Sequence, residues 1–220
     1  MIFKKESILD IKKIKSGLFF VLLVFIVFGG LYNLLHNVDA ELTSDDYRTY
    51  ECDYKSTSLS QTKIETTVGG EPVVIKGGAI AKMWITDPLV MCNSEGNVIA
   101  NAGGAYGIVS QDDHGIYVDD EFAINMEGKF SLVGNSYKLV DADGITVGAL
   151  KCNWTDTAGY VSDVDGNVVA TYKSMLGMND YTVKICDNNI CSDEALLLIF
   201  ASYVSDAKYD NNKFQTGGRT

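Results

Sequence analysis

The chain is 220 residues long, with 21 glycines, only two prolines and a formal net charge of −11. That length accommodates one sizeable domain with a buried core. Short Tyr/Val/Ile/Thr runs make the composition that of a β-rich domain. Five lysines (Lys4, Lys5, Lys12, Lys13, Lys15) lie within the first 15 residues; the rest of the chain carries 13 basic against 27 acidic residues. No Lys/Arg cluster appears in the sequence after residue 16. A body this acidic repels nucleic acid and anionic lipid head groups, so nucleic acid is not an expected partner.

Residues 1–16 form a basic tail. Gly17 to Asn37 then runs without a formal charge, centred on Leu18-Phe-Phe-Val-Leu-Leu-Val-Phe-Ile-Val-Phe28. At about 1.5 Å per residue it reaches roughly 30 Å, the length of one transmembrane helix. A cleaved signal peptide is the competing reading, but the apolar run exceeds the usual h-region. Lysines precede the segment, whereas Asp39, Glu41, Asp45 and Asp46 follow it. The positive-inside rule therefore predicts a single-pass protein with a cytoplasmic N-terminus and an extracytoplasmic C-terminal domain.

Residues 38–62 are polar and Ser/Thr-rich and read as a stalk merging into a first strand. From residue 63 the pattern is strand and turn. Candidate strands are Lys63–Val68, Pro72–Lys76, Ile80–Ile85, Leu89–Cys92, Val98–Asn101, Ala105–Ser110 and Gly115–Val118. Phe122–Asn125, Lys129–Val133, Tyr137–Val140, Thr146–Lys151, Gly159–Ser162, Val168–Ser174 and Tyr181–Ile185 follow. An internal echo runs through them: Asn93-Ser-Glu-Gly-Asn97, Asp141-Ala-Asp-Gly144, Asp163-Val-Asp-Gly-Asn167 and Asp187-Asn-Asn189 each separate two apolar runs, as one hairpin unit used repeatedly would.

The next element is a helix opening at Ser192, a good N-cap, with Asp193 and Glu194 at the positive end of its dipole and Asp206 at its exit. Leu196, Leu197, Leu198, Ile199, Phe200, Tyr203 and Val204 cover nearly every side of it. A helix apolar all round must be surrounded by protein, and this one is too short for a bilayer. Strands wrapped around the helix satisfy both conditions. The expected fold is mainly β: an antiparallel barrel of about twelve strands around a buried C-terminal helix over residues 63–210. A transmembrane helix over 17–37 precedes it and a polar tail over 211–220 follows.

The tandem hairpins Tyr137-Lys-Leu-Val-Asp-Ala-Asp-Gly144 and Tyr160-Val-Ser-Asp-Val-Asp-Gly-Asn-Val-Val-Ala170, the strand Tyr181–Ile185 and the helix Ala195–Val204 together resemble the tubby-like superfamily. The closer likeness is to its LURP-one-related and phospholipid-scramblase-like branch, over roughly residues 70–210. The resemblance implies a twelve-stranded barrel threaded by its C-terminal helix and membrane-associated binding rather than catalysis. Phosphoinositide head groups or phospholipids would be the ligands. The chain departs from that pattern in lacking a basic patch in its sequence and in carrying its anchor at the N-terminus.

Sites for chemistry are few. In Asp141-x-Asp143-Gly144 and Asp163-x-Asp165-Gly166 the glycine comes fourth, not sixth, so neither is an EF-hand loop; an Asx turn is expected. Asp112, Asp113, Asp119, Asp120 and Glu121 form a denser acidic loop pair, the only candidate ligands for Ca²⁺ or Mg²⁺, against a solvated loop. Five cysteines (Cys52, Cys92, Cys152, Cys186, Cys191) and two histidines (His36, His114) show no zinc spacing. Cys186 and Cys191 bracket a turn and either form a disulfide in an oxidising compartment or stay as buried thiols. His114 lies in a turn-like Asp112-Asp-His-Gly115, a poor setting for a catalytic base, and Asn153-Trp-Thr155 is a glycosylation sequon. No cofactor and no enzymatic activity are expected. The chain reads as a membrane-anchored binding or structural module at the cell envelope, with a lipid or an envelope protein as partner. The alternatives are phospholipid binding or scrambling, and an adhesin-like β-sandwich with the helix packed on a sheet face.

Overall fold

The computed structural model describes residues 40–56, 61–78, 89–104, 114–129, 136–153, 157–174, 180–187 and 189–216, without the side chains of 206–216 and a few strand-end residues. The chain divides into Met1–Asn37 and Val38–Thr220, and all the described residues belong to the second unit. The strand candidates Ile80–Ile85 and Ala105–Ser110, and all but the first residue of Lys129–Val133, lie outside them. So does the Gly17 to Asn37 segment. Among the described residues no helix is long and apolar enough to cross a membrane.

Twelve antiparallel strands close into one barrel: β1 (Tyr47–Ser56), β2 (Gln61–Val68), β3 (Glu71–Gly78), β4 (Leu89–Cys92), β5 (Val98–Gly104) and β6 (His114–Val118) are followed by β7 (Glu121–Lys129), β8 (Ser136–Val140), β9 (Thr146–Cys152), β10 (Ala158–Asp163), β11 (Val168–Ser174) and β12 (Tyr181–Cys186). Each strand pairs with its sequence neighbours, and β12 returns to β1 with Tyr47 opposite Cys186 and Cys52 opposite Tyr181. Closure leaves no unpaired sheet edge. It also excludes the β-sandwich, which needs two separate sheets.

The wall alternates. In β3, Val73 and Ile75 point inward while Pro72 and Lys76 are exposed; in β1, Tyr50, Cys52 and Tyr54 are buried between exposed Glu51 and Lys55. The first strand expected within the polar stretch 38–62 is the wall strand Tyr47–Ser56, an inward aromatic-thiol alternation set among Ser/Thr-rich flanks.

The last element, α1 (Asp193–Thr216), fills the barrel. Every residue from Ala195 to Val204 is buried, and Leu196, Leu198, Ile199, Phe200 and Ala201 have no exposed surface. Its aromatic side chains meet those of the wall: Tyr203 lies edge-on to Tyr137 at 6.1 Å, and Phe200 is tilted against Tyr172 at 5.4 Å between ring centroids. Small wall residues make room for these groups. A Cβ on Gly159 would stand 2.7 Å from Tyr172 Cε1 and 2.8 Å from Cys152 Sγ, closer than any real contact. The helix does not stop at Asp206 but runs on to Thr216, into what was expected to be a polar tail. No Gly or Pro interrupts residues 206–216, so nothing in that stretch breaks the helical hydrogen-bond ladder.

Strand direction alternates, so the β2–β3, β4–β5, β6–β7, β8–β9 and β10–β11 hairpins all turn at one end of the barrel. The start of β1, the end of β12 and the N-terminus of α1 share that hairpin end.

Candidate functional site

The hairpin end is built from two kinds of turn. Asn93, Asp141 and Asp163 open three copies of one loop. In each, the side-chain Oδ1 accepts two main-chain N–H groups: Glu95 (3.1 Å) and Asn97 (2.9 Å), Asp143 (3.0 Å) and Ile145 (2.8 Å), Asp165 (2.9 Å) and Asn167 (2.8 Å). Gly96, Gly144 and Gly166 follow at φ +87°, +79° and +87°, where a Cβ would be strained. The Asn167 side chain, and then main-chain N–H groups, hold the Asp163 carboxyl below the usual carboxylate range. These side-chain oxygens serve the backbone, as the turn reading expected. The fourth member of the echo differs. Asp187-Asn-Asn189 leads from β12 into α1, not between two strands, and the Asp187 N–H donates to Asp46 O at 3.2 Å.

The other turns are two-residue loops with both residues at positive φ, as the twist of a tight hairpin demands. Gly69-Gly70 joins β2 to β3, and Asp119-Asp120 joins β6 to β7 at φ 50° and 63°. Of the candidate cation ligands, Asp119, Asp120 and Glu121 thus form a hairpin tip and its first flank, while Asp112 and Asp113 lie outside the described residues. Among the described residues no group of three or more His, Cys, Asp or Glu side chains is placed to hold a metal ion. His114 opens β6.

Apolar side chains accompany these turns. Val98 (55% exposed), Ile145 (60%) and Val164 (67%) stand at the tips, and Tyr117 and Phe122 flank the β6–β7 turn as an edge-to-face pair at 5.6 Å. Elsewhere among the described residues only Tyr47 is a large apolar side chain exposed to this degree. The five turns hold seven carboxylates and no Lys or Arg. In the half of the barrel away from the hairpins the closed topology gathers lysines scattered along the sequence, and three of them pair with carboxylates there. Lys55 reaches Asp53 and Glu65 (both 2.7 Å), Lys63 reaches Glu65 (2.5 Å) and Lys138 reaches Glu127 (3.4 Å). Lys55, then Lys63, pulls Glu65 down to about 2. Among the described residues the barrel is therefore polarised along its axis, its hairpin turns carrying carboxylates with no Lys or Arg among them.

Under the hairpin end, a polar lock seats the helix. Ser192 caps α1 through the Ala195 N–H (3.3 Å to Oγ). Asp193 receives a two-pronged bond from Arg48, Nε to Oδ2 at 2.6 Å and Nη2 to Oδ1 at 2.8 Å, with further bonds from Tyr50 OH and Asn189 Nδ2 (3.1 Å). Arg48 also pairs with Asp187. Burial, reinforced by the Asp193 carboxylate, pushes the Tyr50 phenol up to about 12. One carboxylate at the positive end of a helix thus bolts α1 to β1.

On the outer wall, residues 40–45 fold over β1, β11 and β12 and roof a cleft of about 750 Å³. Thr43 hooks this strap to the start of β11: its N–H donates to Val168 O (3.0 Å), and Val168 N–H donates to its Oγ1 (2.7 Å). On the cleft floor Thr182 donates to Glu51 (2.9 Å), and Lys184 lies 4.8 Å from the Tyr47 ring centroid.

All five cysteines are thiols. Cys186 is buried with its Sγ donating to Val168 O at 3.8 Å, and Cys191 is partly exposed, so the two are not bridged in this structure. Burial, with Asp193 nearby, pushes the Cys191 thiol up to about 12. The sequon asparagine is structural: Asn153 is 6% exposed, its Oδ1 accepts the N–H groups of Thr157 (2.9 Å) and Ala158 (3.2 Å), and its Nδ2 donates to Thr157 Oγ1 (3.0 Å). An amide so engaged is not presented as a glycosylation acceptor in the folded domain.

Fold and surface together define a closed antiparallel β-barrel with an intramolecular helical core and a polarised exterior. No family model matches the chain, and no curated protein matches it. Among solved structures it is similar to a protein from Arabidopsis thaliana determined by X-ray crystallography. The two share 11% identity over 73% of this chain and 91% of that one, with a TM-score of 0.49.

The acidic-apolar hairpin end and the strap cleft escaped sequence reasoning, since the first gathers turns spread over residues 69–167 and the second joins residues more than 100 positions apart. Only the recurrence of an apolar residue within or beside each turn (Val98, Ile145, Val164) hinted at the first.

Proposed function

We propose that the chain is a single-pass, membrane-tethered barrel that acts without catalysis, as a binding or structural module at the cell envelope. Its barrel stands outside the cytoplasm and belongs to the LURP-one-related branch of tubby-like domains. The observation that carries the binding role is the filled lumen. Where other barrels of comparable strand number enclose a ligand, this one encloses Ala195–Val204 of its own chain, which leaves recognition to the outer surface. The tether is supported by the uncharged Gly17 to Asn37 segment, and the address by the lysine excess on its N-terminal side. The family reading is supported by the repeated Asx–Gly hairpins in the same chain as a strand-enclosed terminal helix.

Paired C-terminal fusions test the address, one reporter active only outside the cytoplasm and one only inside it. Signal from the outer reporter alone is expected. Signal from the inner reporter alone overturns the envelope assignment and moves the module to inner-leaflet lipids.

A further inference from the structure

We infer that the hairpin end of the barrel is a docking surface for a basic protein or peptide segment that carries apolar side chains among its Lys and Arg residues. This deepens the reading of the barrel as a module that binds through its exterior, and rests on it.

Two independent features of one end point to that occupant. The first is apolar. Among the described residues six large apolar side chains are more than about a third exposed, and five of them, Val98, the Tyr117–Phe122 pair, Ile145 and Val164, stand at four consecutive hairpins. Isolated exposed apolar residues need no explanation, but their concentration at one end of a closed barrel marks an interaction surface. Turn chemistry does not call for them: what each Asx loop requires is the Asn or Asp at its start and the Gly at its fourth position, and a polar residue would serve at Ile145 or Val164. Tight hairpins at positive φ hold these side chains on a backbone fixed by hydrogen bonds, so little conformational entropy is lost on docking.

The second feature is charge. The same turns contribute carboxylates with no cation among them, whereas Lys55, Lys63 and Lys138 in the opposite half are paired with Asp53, Glu65 and Glu127. An anionic membrane surface or nucleic acid is repelled here, and a basic surface is steered in and held. A second copy of this chain meets the same repulsion end to end.

Titration of the purified full chain in uncharged maltoside micelles tests the assignment, using three eight-residue probes: alternating Lys-Trp, Lys-Ser and Glu-Trp peptides. Empty micelles correct for partition into detergent. Lys-Trp is expected to bind at least about tenfold more tightly than either of the others and to weaken as salt is raised. The Phe122→Ser/Ile145→Ser/Val164→Ser variant, checked for an unchanged circular dichroism spectrum, is expected to lose that tenfold advantage while keeping the weak Lys-Ser binding. Equal binding of Lys-Trp and Lys-Ser overturns the proposal, as does a variant that binds as the parent does. Concentration-dependent self-association of the parent that the variant loses also overturns it, by making a second copy the occupant. The probes are added to purified protein, so failure here is separable from failure of the envelope address.

Discussion

Leu197→Asp tests whether α1 is enclosed rather than laid against a sheet. Leu197 is 1% exposed, and its neighbours from Ala195 to Val204 are buried on every side of the helix, so no rotation of α1 brings position 197 to water. Losing a fully buried leucine side chain forfeits about 2–3 kcal/mol of transfer free energy. The carboxyl then either ionises unpaired, at a further cost of several kcal/mol, or stays protonated as an unsatisfied polar group costing about 1–3 kcal/mol. The total, about 3–6 kcal/mol or more, is comparable with the whole stability of a domain at the lower end of the usual 5–15 kcal/mol. Circular dichroism of the full chain in detergent through a urea series should show no cooperative transition for the variant. Leu197→Met, which conserves volume, should shift stability by less than about 1.5 kcal/mol. A cooperative transition near the parent midpoint in Leu197→Asp would refute enclosure, since a carboxylate survives there only if water reaches it.

Tyr50 stays protonated in the folded state up to about pH 12, whereas an unfolded tyrosine ionises near 10. Its folded pKa is raised, so the stability it contributes is complete below about pH 10 and is lost as pH climbs towards 12. Base denaturation followed at the phenolate absorbance should fall in that window, and Tyr50→Phe should abolish this component. Gly159→Ala should destabilise by about 1–3 kcal/mol in the same urea series, because its methyl meets Tyr172 and Cys152 inside 3 Å; no change would mean the wall yields there. Asn153→Ala removes the acceptor for two main-chain N–H groups, one on buried Ala158, and should cost about 1–3 kcal/mol. Cys191 should react with maleimide at pH 7.5 far more slowly than an unfolded cysteine, since burial leaves little thiolate; rapid labelling would contradict that environment.

The enclosed helix and the Asx hairpins were legible in local chemistry. An apolar run with no polar face, opened by Ser192-Asp193-Glu194, has one physical solution in water, which is to be surrounded. Asn93-Ser-Glu-Gly96, Asp141-Ala-Asp-Gly144 and Asp163-Val-Asp-Gly166 carry their hairpin geometry in local chemistry, an Asx acceptor at the start and a positive-φ glycine at the fourth position. Such information survives in a linear string because its partners lie within five residues. β1 was obscured for the opposite reason. Tyr50, Cys52 and Tyr54 gain meaning only when β12 and β2 lie on either side of them and α1 fills the space they face. The lock from Arg48 to Asp193 spans 145 positions, so nothing near either residue announces it. The polarised exterior belongs to the tertiary structure alone: strand alternation sends every second connection to one end, and closure makes neighbours of turns far apart in sequence. Local propensity could supply the hairpins, but only the closed barrel decides which charges and apolar tips face outward together.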